Sequence, residues 1–424
     1  MKVNSEELGP TKKRLQVEVP PPQVKEVVES LYRDLKKRAK IKGFRRGKIP
    51  RDVLERYYGD YVKEKTISHL INETYPKAIS QESIEPIAPP LIDTGDFAPE
   101  RPFSYSAVVE VRPRIEIKGY KGLRLKGRRE EVSSEEVEEE LERIRGSYSQ
   151  LKQVEGRDRV KKGDVVLLDF QGLLGTRPIR DGKAENYLLE VGSGTMVPGF
   201  EDGLIGKKKG VEDEIKLAIP PDHPRKDLAG KEATFLVTVK EIRQRVLPPL
   251  NNEFARDVGD YKDLKELKAK IKKDLQGAKE RKFKEELGQE VINQLLQKNT
   301  LEVPSSLVQR RTQELLQDLK FKLAAQQRDL PPEEEGALRK EYLKVAEREV
   351  KASLLLEEIA RQDGIEVTEE EVEERLKEMA RAYNKTLQDL KQDPSLVAIL
   401  RRSLQREKVL DRLIAEAEIE VSDN

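Results

Sequence analysis

Gly192-Ser-Gly-Thr-Met-Val-Pro-Gly-Phe-Glu-Asp-Gly203 places Met196, Val197 and Phe200 on a short helical turn bracketed by glycines. Glycine lets the backbone bend where other residues would be strained. The segment therefore predicts a brief helix near Val197–Leu204, set between extended stretches. Around it, the runs Val165–Phe170, Tyr187–Val191, Ile215–Ile219 and Ala233–Ile242 are short and β-rich, and Gly-rich turns separate them. Residues 151–245 thus predict a compact, mostly β domain with one short helix. Phe170 lies on a strand before Gly172, and Tyr187 lies on another. With Met196, Val197 and Phe200 they line either a small apolar pocket or an ordinary core. No acid–base pair and no nucleophile arrangement stands out in this segment.

The flanking sequence changes character on both sides. Residues 1–112 predict an α+β domain: Leu15, Val17 and Val19 alternate as in a strand, and Pro20–Pro22 stop it and open a helix. Val24, Val27, Val28, Leu31 and Leu35 then recur at helical spacing. Residues 51–80 read as a second helix, and Ile84–Leu91 and Phe103–Val111 as returning strands. His69 falls in the second helix and is read as structural. Residues 113–150 form a connector, with an extended stretch at Ile115–Leu125 and a helix opened by a Ser133/Glu136 capping box. Residues 246–424 read as almost wholly helical, punctuated by Pro304, Pro331–Pro332, a Thr368/Glu371 capping box and Pro394. The expected fold class is multidomain α+β: an α+β head, a β domain with a short helix, and an elongated all-α C-terminal domain.

Composition narrows the function classes. The 424 residues are 36% hydrophobic and 38% charged, which suits several domains with much exposed helix surface. A net charge of +1 gives no global field for nucleic acid. The absence of Cys excludes disulfides and thiol catalysis and fits a reducing compartment. With two His and no Cys, no metal site is expected. Neither a signal peptide nor an apolar run long enough for a membrane span is read, so the expected setting is cytoplasmic, without membrane contact. No Gly-rich Lys-Ser/Thr phosphate loop is present, and no cofactor is expected.

Charge is nevertheless concentrated locally. From Arg33 to Arg56 there are eleven Lys or Arg and three acids. The cluster centres on Gly43-Phe-Arg-Arg-Gly-Lys-Ile-Pro50. Gly43 and Gly47 permit two tight bends, and Pro50 stiffens the exit into the next helix. Phe44, Arg45 and Arg46 then form a projecting tip with one apolar anchor and two guanidinium groups, suited to a surface of carboxylates or phosphates. The alternative reading is a solvated basic helix and loop.

This loop closely resembles the ribosome-binding loop of the trigger factor family. The resemblance implies that Gly43, Phe44, Arg45, Arg46, Gly47, Lys48 and Pro50 bind the ribosome. The implied partners are the large subunit near the tunnel exit, through protein and ribosomal RNA, and nascent and unfolded polypeptides. It also implies association into a homodimer when free. The order of elements over about residues 155–245 resembles FKBP-type peptidyl-prolyl isomerases. That resemblance implies a pocket of Phe170, Ile179, Tyr187, Met196, Val197, Phe200, His223 and Phe235. Ile179 stands where Phe is usual, Arg180 where an acid is usual, and His223 where a Tyr is common. His223 has the alternative reading of an exposed loop residue. Together the resemblances imply an ATP-independent chaperone with isomerase activity. On this basis the chain divides into a ribosome-binding domain (1–112), a connector (113–150), an isomerase domain (151–245) and a helical chaperone domain (246–424).

Overall fold

Strands β1 (Lys2–Gly9) and β2 (Lys12–Val19) form an antiparallel hairpin at the start of the chain. The structure is a computed structural model that describes residues 1–421 apart from Gly43, Arg46, Pro224 and Gln327. Two helices follow, α1 (Pro21–Arg38) and α2 (Arg51–Gln81), then β3 (Leu91–Thr94) and β4 (Phe103–Glu110). The four strands lie in the order β1-β2-β4-β3. Leu15, Val17 and Val19 of β2 and Phe103, Tyr105, Ala107 and Val109 of β4 point into one core, as the period of two requires. Val24, Val27, Val28 and Tyr32 of α1 and Leu54, Val62 and Leu70 of α2 close it.

One expectation changes here. The strand expected over Ile84–Leu91 reduces to an isolated bridge between Pro86 and Val111, and β3 begins only at Leu91. Pro86, Pro89 and Pro90 cannot donate to a ladder, which displaces pairing beyond them. Strand β1 pairs through seven of its eight residues although its side chains are mostly exposed and polar. The His69 side chain is exposed on α2, 3.9 Å from Glu73.

The chain forms two compact units, Met1–Arg128 with Phe283–Asn424, and Arg129–Lys282. The boundaries fall inside the segments 113–150 and 246–424. In the first unit, Ile115, Ile117, Leu123 and Leu125 pack with helical residues such as Leu287, Val291, Leu355 and Val409, and Leu125 lies on β5 (Arg124–Gly127).

The second unit begins with α3 (Ser134–Ser147), whose capping box is made in full: Glu136 N–H donates to Ser133 Oγ and Ser133 N–H to the Glu136 carboxylate. Then come β6 (Gln150–Gln153), β7 (Asp164–Leu174), β8 (Arg177–Glu190), α4 (Phe200–Leu204), β9 (Glu212–Ala218) and β10 (Glu232–Val246). These strands make one antiparallel sheet in the order β6-β10-β7-β8, with β9 on β10. The short helix α5 (Asn252–Val258) packs Phe254 with Val137 and Leu141 of α3.

Helix α6 (Leu264–Lys298) carries the chain back to the first unit, where α7 (Ser305–Ala325), α8 (Pro332–Asp363), α9 (Glu369–Ala382), α10 (Leu387–Lys391) and α11 (Pro394–Ala415) follow. Thr368 and Glu371 complete the second capping box. The helical run does not reach the end: β11 (Glu418–Val421) pairs in parallel with β5. A four-residue strand whose partner lies nearly three hundred positions earlier leaves no local signal.

Within this unit the last residue of β4 caps a distant helix. Glu110 accepts from Ser305 Oγ at 2.5 Å and from Ser306 N–H at 2.9 Å, at the first turn of α7. Two residues on, Arg112 pairs with Glu357 of α8 at 2.6 Å. Glu110→Ala leaves the α7 N-terminus without its carboxylate and is expected to cost about 1–2 kcal/mol, the range of a lost helix cap. Faster hydrogen exchange at the first α7 amides checks this.

Candidate functional site

The second unit gathers four aromatic rings. Phe170 on β7 stands edge-on to Phe200 at 5.6 Å and to Tyr187 at 5.6 Å, and 6.3 Å from Phe235 on β10. Phe200 and Phe235 meet edge-to-face at 5.1 Å. Phe200 is fully buried and Phe235 nearly so, whereas Tyr187 is 37% exposed. The cluster thus has a closed floor and an open rim. Ile179, Met196 and Val197 are half-buried against the same core.

Local chemistry explains this placement. Pairing of β7 with β8 shifts between Leu168↔Tyr187 and Phe170↔Ala184, so the strand bulges at Glu185 and Asn186. Asn186 takes a left-handed conformation, with φ of 53°. Its N–H donates to Asp169 Oδ1 at 2.7 Å, and Lys240 bridges Asp169 and Asn186. A bulge re-aims the neighbouring side chain, here Tyr187 toward Phe170. Gly172 is required for closeness: a Cβ there would sit 2.9 Å from the Phe235 ring and 3.1 Å from Ile179 Cδ1.

Glu201 secures the loop that carries Met196 and Val197. Its buried carboxylate accepts the N–H groups of Gly192 at 2.7 Å, Gly194 at 3.0 Å and Met196 at 3.1 Å, with the Ser193 hydroxyl at 3.3 Å. Burial pushes its pKa up, but these donors outweigh burial and hold it below the ordinary carboxylate value. The sequence alone assigns Glu201 no role. Its signal was an acid directly after Phe200, facing a run of glycine amides.

His223 is half-buried on the loop after β9. Its Nδ1 accepts from Arg225 N–H at 3.2 Å, which leaves the neutral ring's proton on Nε2 as a donor. Arg225 also donates to Arg180 O at 2.7 Å and pairs with Asp227 at 2.9 Å. This ties the His223 loop to β8 beside Ile179. The Arg180 side chain is itself exposed, near Asp181.

The basic tip belongs to the first unit, between α1 and α2. Gly47 adopts φ of 77°, and its N–H donates to Lys36 O at 3.1 Å, folding the loop onto the last turn of α1. Lys48 N–H donates to Arg45 O at 3.0 Å and Phe44 N–H to Ile41 O at 3.1 Å. Ile49 is fully buried and anchors the loop, while Phe44 is 42% exposed beside exposed Arg45, Lys48 and Pro50. Gly43 and Arg46 lie outside the described residues. Not every cation of the cluster is free for a partner. Arg51 stacks on Tyr32 at 3.4 Å and pairs with Glu29 and Glu55.

Among the described residues no group of three His, Asp or Glu is placed to hold a metal ion. No helix of the described chain is long and apolar enough to cross a membrane.

An antiparallel sheet curled on a short helix, with an aromatic floor and a carboxylate-clamped loop, defines the second unit's β domain as an FKBP-type peptidyl-prolyl isomerase domain. The family model of that description matches residues 156–240. The models for bacterial trigger factor protein and for its C-terminus match residues 1–144 and 263–415. A trigger factor of Geotalea uraniireducens is 37% identical over all of this chain and 99% of its own length. One of Geobacter sulfurreducens is 36% identical over 98% of this chain and 97% of its own. A solved trigger factor chaperone shares the fold, with a TM-score of 0.52 at 22% identity over 98% of this chain and 99% of that one. The chain belongs to the bacterial trigger factor family.

Proposed function

We propose that this protein docks at the ribosomal exit tunnel through its basic tip, shields emerging chains and isomerises X-Pro bonds without ATP. The observation that carries the isomerase reading is the four-ring cluster with its closed floor of Phe200 and Phe235 and its open rim at Tyr187. The chemistry needs no covalent step. A planar amide is more polar than its twisted form, because resonance separates charge. An apolar cleft therefore favours the twisted state and lowers a barrier of about 18–20 kcal/mol. Phe170, Ile179, Tyr187, Met196, Val197, Phe200 and Phe235 supply that surface, and His223 Nε2–H is a donor for a substrate carbonyl. A prolyl-peptide isomerisation assay tests the assignment. Tyr187→Ala is expected to lower kcat/KM by about tenfold, the loss of one aromatic wall of roughly 1.4 kcal/mol. Unchanged activity would remove Tyr187 from the site.

Docking rests on Phe44, Arg45, Arg46 and Lys48, shaped by Gly43, Gly47 and Pro50, with ribosomal protein and ribosomal RNA as partners. We assign residues 1–112 to docking, 113–150 to the connector, 151–245 to isomerisation and 246–424 to holding. Holding is supported by scattered exposed apolar side chains, among them Phe321, Leu343, Tyr383 and Ile399, in a heavily charged frame. Weak separate contacts release a client without nucleotide as it buries its own apolar surface. A nucleotide-dependent release rate is the result that removes this part. The absence of Cys and the ribosomal partner support a cytoplasmic setting, and self-association when free completes the reading.

A further inference from the structure

The tip is small for its task. A stable protein interface buries about 800 Å² per partner and draws on roughly 20–30 residues. An eight-residue loop supplies only part of that, so neighbouring surface must contribute. The adjoining surface of α2 carries an unexpected feature. Tyr57 is 66% exposed and Tyr61 49% exposed, one helical turn apart on the same face. Lys65 continues the row and sets its ammonium 5.8 Å from the centre of the Tyr61 ring. Neither ring is needed by the core that Leu54, Val62 and Leu70 close. At 1.5 Å per residue, Tyr61 lies about 16 Å along the helix from Pro50, within the footprint of an interface centred on the tip.

We propose that Tyr57 and Tyr61 form a second docking surface, an apolar stripe that seats on a ribosomal protein beside the site the basic tip engages. This rests on the docking function proposed above. Charge decides the kind of partner. Between Asp52 and Lys65 the exposed acids are Asp52, Glu55, Asp60 and Glu64, against exposed Arg56, Lys63 and Lys65. With Glu55 also paired to Arg51, the stretch is close to neutral; it offers a surface of phosphates little attraction, whereas an apolar protein surface needs none. Tyrosine is also enriched at protein–protein contacts, where its ring is buried and its hydroxyl stays satisfied. The two surfaces then divide the work: the cationic tip steers and orients, and the stripe supplies desolvated apolar area.

The test is the affinity of the full chain for bacterial 70S ribosomes, measured at several salt concentrations. The variants are Tyr57→Ser/Tyr61→Ser, Tyr57→Phe/Tyr61→Phe, Lys65→Ala, and the tip variant Phe44→Ala/Arg45→Ala/Arg46→Ala. The double serine variant is expected to raise Kd at least about tenfold, as truncation of anchor aromatics does, with the wild-type salt dependence retained. The double phenylalanine variant is expected to bind within about threefold of wild type, because ring area carries the contact. If the serine variant binds as wild type while the tip variant does not, the stripe is no docking surface and the ribosome reading stands. If wild type itself does not bind, the ribosome reading fails and the stripe with it. If Lys65→Ala lowers the slope of log K against log salt by about one, phosphates lie under the stripe and the choice of a protein partner is overturned. If the serine variant instead loses self-association in sedimentation velocity, with ribosome affinity intact, the stripe belongs to a second copy of this chain and the proposal is overturned.

Discussion

Ribosome binding is expected to fall by at least about 100-fold in Phe44→Ala/Arg45→Ala/Arg46→Ala, because anchor aromatics and arginines at an interface each cost about 2 kcal/mol or more when truncated. The fold should be untouched. Phe44 and Arg45 are exposed, and the loop is held by elements the variant keeps: buried Ile49 and the Gly47 N–H bond to Lys36 O. Circular dichroism and co-sedimentation with 70S ribosomes read the two separately. Salt adds a finer result. If both arginines meet phosphates, the variant should lower the slope of log K against log salt by about two. If they meet carboxylates of a ribosomal protein, the slope should change less. Wild-type binding by the variant would move docking to another surface.

The second large effect is expected at Glu201. Glu201→Ala leaves three backbone N–H groups of the Gly192–Met196 loop without their carboxylate. Bonds to a charged acceptor contribute about 1.5–3 kcal/mol each, and some donors will recover water. A local loss of about 3 kcal/mol is the expected scale. It should appear as faster hydrogen exchange at residues 192–196 and as lower isomerase kcat/KM, since Met196 and Val197 ride on that loop. Glu201→Gln keeps an acceptor oxygen and should lose less. The pH dependence has a definite sign. Glu201 has a folded pKa below its unfolded value, so its contribution is fully present above about pH 4.3, the ordinary glutamate value. It is lost as pH falls through the folded value. Acid should therefore loosen this loop, while raising pH above neutrality should leave it unchanged. An equal response in Glu201→Gln and wild type would remove Glu201 as the cause.

Much of this was open to sequence reading, for physical reasons. Both capping boxes were legible because their partners are three residues apart and interact through one helical turn. The β runs at 165–170 and 233–242 declared themselves by composition and turn spacing. Phe170, Phe200 and Tyr187 could be named because each sits on a recognisable element, Phe170 and Phe200 beside glycine and Tyr187 in a β-rich run. The tip could be named because its glycines, proline and charges are contiguous.

Tertiary structure decided what depends on distant partners. Only packing brings Phe235 onto Phe200, turns Tyr187 by a bulge over Asp169, and closes Glu201 on the amides of Gly192, Gly194 and Met196. Arg51 counts toward the basic cluster in sequence, yet its place over Tyr32 between Glu29 and Glu55 spends it inside the helical hairpin. Glu110 as the cap of α7 and β11 as the partner of β5 join residues nearly two hundred and nearly three hundred positions apart. The sequence by itself determined the order of elements, the tip and most of the aromatic set, because periodicity, capping and turn chemistry act over a few residues. The tertiary structure decided which carboxylate clamps which loop, which cations remain free and which tyrosines face solvent. Those outcomes follow from burial and close approach, which no local pattern specifies.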